Sequence, residues 1–281
     1  FIEKNKDKPF FAYIPLVLPH AEIISPKDSI FELYNGKFNE TPYTIDNEYT
    51  SDYGPAIVLN EYDSVEKPKA TYASMISRID AYVGQIIEKV NELGLSENTI
   101  IMFASDNGAT TLGGANPDFF KSNADFRGYK RDLYEGGIRA PFLVVWPHKV
   151  KPGSVSNHVS TFWDVLPTIT EITKSKNPDN IDGISFLPTL LEEKNQEQHD
   201  YLYWEFNIKG GRKAIRKGDW KGVWYKMNTK KPSAFELYNL AEDASEANNV
   251  ADKYPEVVAD FYKILNKSSI NSELFPFNKN K

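Results

Sequence analysis

Ser105-Asp106-Asn107-Gly108 follows an apolar run over residues 99–103 that is bounded by turn signals. A run of that kind suits a strand buried on both faces. In open α/β sheets, ligands sit just beyond the carboxyl ends of strands. Asp106 and Asn107 offer hard oxygens suited to Ca2+ or Mg2+. Asp-Asn-Gly is also excellent turn chemistry, so the spacing leaves metal ligation and a tight turn both open. A second group is Arg127-Gly128-Tyr129-Lys130, followed by Tyr134-Glu135-Gly136-Gly137-Ile138-Arg139-Ala140-Pro141. The glycine pair allows close backbone approach, and Lys130 offers a point charge for an anionic oxygen. Glu135 and Arg139 are spaced to pair and brace the loop if it is helical there. A basic surface loop is the plainer alternative. A third is Pro19-His20, where the imidazole is either a packing residue or an acid/base group.

These groups need elements to hold them. Residues 10–14 are the first strand candidate, ended by Pro15. An irregular region over residues 19–69 follows, and a loop of that length is usually functional or a partner contact. Ala70, Ala73, Ile76, Ile79, Val83, Ile86, Ile87, Val90 and Leu93 recur at helical spacing, with Gly94 as the C-cap. Residues 141–146 are a further strand candidate, and residues 161–172 a helix. Strand, helix and strand in this order predict βαβ units and a largely parallel sheet. After about Asn195 come short aromatic runs at 201–206, 212–216, 220–225 and 235–239, which predict an antiparallel sheet. Residues 254–267 fit one amphipathic helix. The expected division is an α/β part over 1–195 and a small α+β subdomain over 196–281.

Composition narrows the function classes. Of 281 residues, 41% are hydrophobic and 26% charged, ordinary for a globular protein. A net charge of −6 argues against a nucleic-acid binder or a polybasic membrane patch. No apolar run approaches the roughly 20 residues needed to cross a bilayer as a helix. The absence of cysteine excludes disulfides, thiolate zinc sites and a cysteine nucleophile within these residues. The histidines at 20, 148, 158 and 199 show no zinc spacing.

The ordered set of segments resembles the sulfatase family of the alkaline-phosphatase superfamily. It runs from Pro19-His20 through Arg78-Ile79-Asp80 and Ser105-Asp106-Asn107-Gly108 to Gly128-x-Lys130 and Tyr134-Glu135-Gly136-Gly137-Ile138-Arg139. Asp164-x-x-Pro167-Thr168 and Asp182-Gly183-x-Ser185-Phe186-Leu187-Pro188 follow. Gly218-Asp219-Trp220-Lys221 and Glu236-Leu237-Tyr238-Asn239-Leu240, before an acidic stretch, complete it. The resemblance implies an alkaline-phosphatase-like α/β sheet flanked by helices, incomplete here, followed by the small antiparallel subdomain. It implies hydrolysis of a sulfate ester, from a sulfated carbohydrate or an aryl sulfate, with Ca2+ (Mg2+ the alternative) and a formylglycine nucleophile. Asp106 and Asn107 would be metal ligands, Lys130 would contact the sulfate, and His20 would assist the leaving oxygen. Trp204 and Glu205 would reach the substrate pocket, although Trp204 equally suits core packing. Glu135 and Arg139 would be structural supports near the site. A periplasmic or secreted location is implied by the resemblance alone.

The departures shape the expectation. The family nucleophile arises from Cys or Ser in a C/S-x-P-x-R motif, and neither that motif nor the family's adjacent Asp pair is present. Both belong to the family's N-terminal half. The chain is therefore expected to be the C-terminal portion of a sulfatase, inactive alone, with the N-terminal half as its partner. Two other readings stand beside it. One is a phosphatase or phosphodiesterase of the same superfamily. The other is a non-catalytic module binding a sulfated glycan through exposed aromatics and Lys.

Overall fold

The computed structural model describes residues 1–44, 62–270, 272–274 and 276–277; part of the long irregular region, residues 45–61, lies outside them. Its first helices are short, α1 (Ile2–Asn5) and α2 (Ser29–Glu32). Asp28 caps α2, accepting from Ile30 N and Phe31 N. The long helix α3 (Pro68–Glu92) begins on a proline, whose missing N–H costs nothing at a helix start. Gly94 (φ +68°) follows it. The strands β1 (Ile101–Ala104) and β2 (Phe142–Val145) form a two-stranded sheet, and between them lie α4 (Pro117–Phe120) and α5 (Glu135–Ile138). The helices α6 (Val165–Thr173) and α7 (Leu187–Leu190) follow. Then β3 (Leu202–Phe206), β4 (Arg212–Lys217), β5 (Trp220–Trp224) and β6 (Glu236–Asn239) form a meander in that spatial order, all antiparallel, and α8 (Pro255–Ser268) covers it.

Two sequence expectations change. Residues 10–14 form no strand; Phe10 is half-buried, the other four are exposed, and none has a ladder partner among the described residues. The β1–β2 pair is antiparallel, with Ile101 opposite Val145 and Ala104 opposite Phe142. The intervening helices are only four residues each, too short for the crossover that parallel neighbours need. The apolar run at β1 also ends half-buried rather than enclosed, and Leu143 and Val145 on β2 stay more than half exposed. On α3, the helical periodicity is right but the stripe is only partly covered. Ala70, Ala73 and Met75 are buried, whereas Ile76 and Ile87 are exposed.

The small sheet is better enclosed. Alternation sends Ile215 and Leu237 to one face, where α8 presents Phe261, Ile264 and Leu265. Gly222 leaves room there, since a Cβ would meet the Phe235 and Phe261 rings at 2.6 Å. On the opposite face, Ala214, Val223, Tyr238 and Leu240 pack against Leu133 and Tyr134 of the β1–β2 connection. That contact joins the two parts of the chain.

Phe261 is 1% exposed. Phe261→Ala should cost about 3–5 kcal/mol in urea-induced unfolding.

Candidate active site

Three loop segments meet backbone to backbone. Gly108 N donates to Gly137 O at 2.9 Å, Lys130 N to Ala109 O at 2.7 Å, and Gly136 N to Arg127 O at 2.7 Å. The contact is too close for side chains. A Cβ on Gly108 would lie 1.8 Å from Gly136 O, one on Gly136 would lie 2.4 Å from Gly128 O, and one on Gly137 would lie 2.2 Å from Asp132 O. Gly108, Gly136 and Gly137 are required for space, whereas Gly128, at φ +86°, supplies left-handed backbone. The two sequence groups read as separate candidates, Asp106-Asn107 and Gly128-x-Lys130, are thus hydrogen-bonded neighbours.

Within the first segment, Ser105 Oγ donates to Asn107 O at 2.9 Å, and Asn107 Nδ2 donates to Asp106 Oδ1 at 2.8 Å. The turn reading and the ligand reading are therefore compatible, because the turn leaves Asp106 exposed with carboxylate oxygens available. A carboxylate and an amide oxygen are the right donor types for Ca2+. They are two of the six to eight oxygens it takes. Among the described residues no cluster of three or more His, Asp or Glu can hold an ion.

His20 is exposed, and its Nδ1 contacts Ala21 O. No hydrogen bond or ion pair among the described residues joins its side chain to Asp106, Asn107 or Lys130; its neighbours pack against α3 and residues 113–115. A Cβ on Gly113 would lie 2.9 Å from Ala21 Cβ, and Ile23 is buried with Met75 and Ala115. Arg78 holds this segment from α3 through Ser25 Oγ, Pro26 O and Asp28 Oδ1.

Glu135 and Arg139 do pair, at 3.7 Å across one helical turn, but Glu135 is more than a loop brace. It is buried, with Lys221 Nζ 2.7 Å and Arg216 Nη1 3.6 Å away. Burial pushes its carboxyl up, but Lys221, Arg216 and Arg139 outweigh that and hold it below the usual range. Sequence pattern alone does not single out Lys221, Arg216 or Glu246 as partners of Glu135. Lys221 stood inside a recognised segment, and Glu246 lay in the acidic stretch after another; a hydrophobic strand context for Lys221 was the available signal.

Trp204 and Glu205 point to opposite faces of β3. Trp204 packs on the cluster containing Leu133 and Tyr134, 6.2 Å from the Trp163 ring. Glu205 bonds Ser269 Oγ at 2.9 Å and Lys213 Nζ at 3.0 Å, on the α8 side. It lines a shallow 340 Å³ depression with Tyr203 and Asn207. No hydrogen bond or ion pair on the described residues joins either side chain to the Asp106–Lys130 loops. Two recognised segments also have a structural use. Buried Asp164 accepts from Thr161 N, Ile184 N and His199 Nε2, pinning residues 184 and 199 to the start of α6.

Comparison with known proteins falls on the same class. The sulfatase family model matches residues 1–175, and the model of the N-sulphoglucosamine sulphohydrolase C-terminal region matches residues 126–271. The chain belongs to the sulfatase family. It is 32% identical over 213 residues to an N-acetylgalactosamine-6-O-sulfatase of Bacteroides thetaiotaomicron, covering 69% of this chain and 41% of that protein. It is 28% identical over 310 residues to arylsulfatase K of Gallus gallus, covering 98% and 55%. The crystal structure described as Ps i-CgsB superposes with a TM-score of 0.70 at 24% identity, over 95% of this chain and 51% of that one. The fold is that of the alkaline-phosphatase-like sulfatases, and the chain spans about half the length of the curated relatives it matches.

Gly108→Ala should cost about 3 kcal/mol in urea unfolding, because backbone oxygen cannot yield as a side chain does. A second expectation concerns Glu205. Burial raises its carboxyl, but Tyr203, Lys213 and Ser269 together hold it below its ordinary 4.5. A lowered carboxyl stabilises the fold above its unfolded pKa, and that contribution disappears as pH falls through the folded value. Glu205→Gln should therefore flatten the loss of stability below about pH 4.5 in a pH series of thermal melts.

Proposed function

We propose that this chain is the C-terminal portion of a calcium-dependent sulfatase that hydrolyses sulfate esters of a carbohydrate or aryl alcohol. Residues 1–195 are its share of the catalytic domain and 196–281 the C-terminal subdomain. The observation that carries the proposal is the hydrogen-bonded meeting of the Asp106-Asn107 loop with the Lys130 segment. The backbone contact supports reading Asp106-Asn107 and Lys130 as parts of one site, a metal-type donor pair and an anion-type cation, as a sulfate ester requires. Membership of the family supplies the reaction class, and the name of the Bacteroides relative favours a sulfated sugar.

Asp106 and Asn107 would hold Ca2+, with Mg2+ the alternative, and the ion would add positive charge at the sulfate oxygens. Lys130 neutralises a non-bridging oxygen as charge builds in the transition state. His20 gives a proton to the leaving alkoxide as the S–O bond breaks. Glu135 and Arg139 support the loop; of the two weaker candidates for substrate contact, Trp204 lies on the face toward the loops and Glu205 on the α8 side. The remaining metal ligands and the formylglycine nucleophile belong to the N-terminal half of the domain. The exposed apolar residues Ile76, Ile87, Leu143 and Val145 support a covering of that kind. A periplasmic or secreted location accompanies the sulfated-glycan reading. Among the described residues no helix is long and apolar enough to cross a membrane.

The 281 residues alone should give no turnover of an aryl sulfate with added Ca2+. Joined to the N-terminal half they should turn over, and Lys130→Ala should lower kcat/KM by about 100- to 1,000-fold. Turnover by these residues alone, abolished by Lys130→Ala, would overturn the division of the site.

A further inference from the structure

Two segments singled out in the sequence have no part in the chemistry above: the one ending at Lys221, and the acidic stretch after Leu240. Their residues meet in the interior. Lys221 and Glu246 are fully buried, and Lys221 Nζ lies 2.7 Å from Glu135 Oε1 and 3.3 Å from Glu246 Oε1. Glu246 Oε2 accepts the backbone N–H of Glu135 at 2.6 Å. That N–H is the first of α5, where a helix leaves its amides without internal partners.

We infer that Glu246 and Lys221 are positioning residues for the candidate active site: from the small subdomain they clamp the 135–138 turn, and that turn sets the Asp106-Asn107 loop against the Lys130 segment. The inference rests on the sulfatase reading for what the site does, but not for the mechanical link.

The link can be followed bond by bond. Glu246 holds Glu135 N, and Lys221 holds the Glu135 carboxylate. Two residues on, Gly137 O receives Gly108 N, and Gly136 N reaches Arg127 O. Gly108 adjoins Asn107, and Arg127 opens the segment ending at Lys130. The clamp also holds that segment directly. Arg127 Nη1 donates to Glu246 O at 3.0 Å and to Tyr238 OH at 2.8 Å, with its guanidinium 3.9 Å over the Tyr134 ring. Arg212 takes the far side, bonding Arg131 O at 2.6 Å and Asp132 Oδ1 at 2.8 Å.

Buried ion pairs are a poor source of net stability, since desolvation offsets their attraction. Apolar residues would hold two layers together as well, but without fixing the height of one turn over another. Directional bonds to Glu135 fix it. The surface pair Lys217–Asp260 of the same subdomain touches none of these loops and serves as the comparison.

The test is amide hydrogen exchange on the 281-residue chain, with and without substitution. Glu246→Leu keeps the bulk and removes the acceptor; Glu246→Gln keeps an acceptor oxygen. In Glu246→Leu, exchange at Gly108, Lys130 and Gly136 should quicken at least about tenfold, while Ala214, Val223 and the α8 amides keep their rates. Glu246→Gln should restore the slow exchange, and Lys217→Ala should leave it unchanged. If Glu246→Leu does not fold, Lys221→Met is read in the same way. Unchanged exchange at Gly108 and Lys130, or acceleration only in step with β4, β5 and α8, would overturn the inference. No turnover is needed, so a failed aryl-sulfate assay would count against the functional reading and leave this link standing.

Discussion

The structure turns on one steric constraint: three peptide segments approach so closely that only glycine fits where they touch. Gly108, Gly136 and Gly137 each face a carbonyl oxygen at a distance no Cβ tolerates. In exchange, the segments gain mutual backbone hydrogen bonds that would otherwise go to water. The Asp106-Asn107 turn and Lys130 therefore share one hydrogen-bonded backbone unit. Loops of this length are usually mobile. Here they pack backbone on backbone, and the unit docks on a sheet.

That sheet serves two layers at once. Its α8 face is an ordinary apolar core around Phe261. Its other face is mixed, with Leu133 and Tyr134 inserted among Ala214, Val223 and Tyr238, and with buried Lys221, Glu135 and Glu246. The two buried carboxyls are shifted in opposite directions from the ordinary value. Burial and the Glu135 charge push Glu246 up, with Lys221 opposing, whereas Glu135 is held down by its cations. A shared ammonium between two buried carboxylates has this consequence: one acid is satisfied more fully than the other.

Much of this was legible in the residues. Periodicity predicts α3, although its stripe is only partly covered, and it predicts α8; aromatic alternation predicts the strands of the meander, where local pattern dominates because the face is buried. The glycine pair was seen to allow close approach, and it does. What sequence pattern missed depends on distant partners. Residues 10–14 carry strand composition without a ladder, and β1 pairs antiparallel because the connection lacks a crossover helix. Lys221 and Glu246 were invisible as a pair, since 25 positions of chain separate residues that only a folded sheet brings within 3.3 Å. Trp204, open between substrate contact and packing, lies against Trp163 and the docked loop.

The reading proposed for this chain is sulfate-ester hydrolysis, but the superfamily also contains enzymes for phosphate esters. A sulfate monoester carries one negative charge and a phosphate monoester close to two. In the proposed site, Lys130 together with one divalent ion would suit the lower charge. The most direct measurement is hydrolysis of an aryl sulfate against the matching aryl phosphate by these residues joined to the N-terminal half, with Ca2+ present. The account predicts a higher kcat/KM for the sulfate; a higher kcat/KM for the phosphate would contradict it.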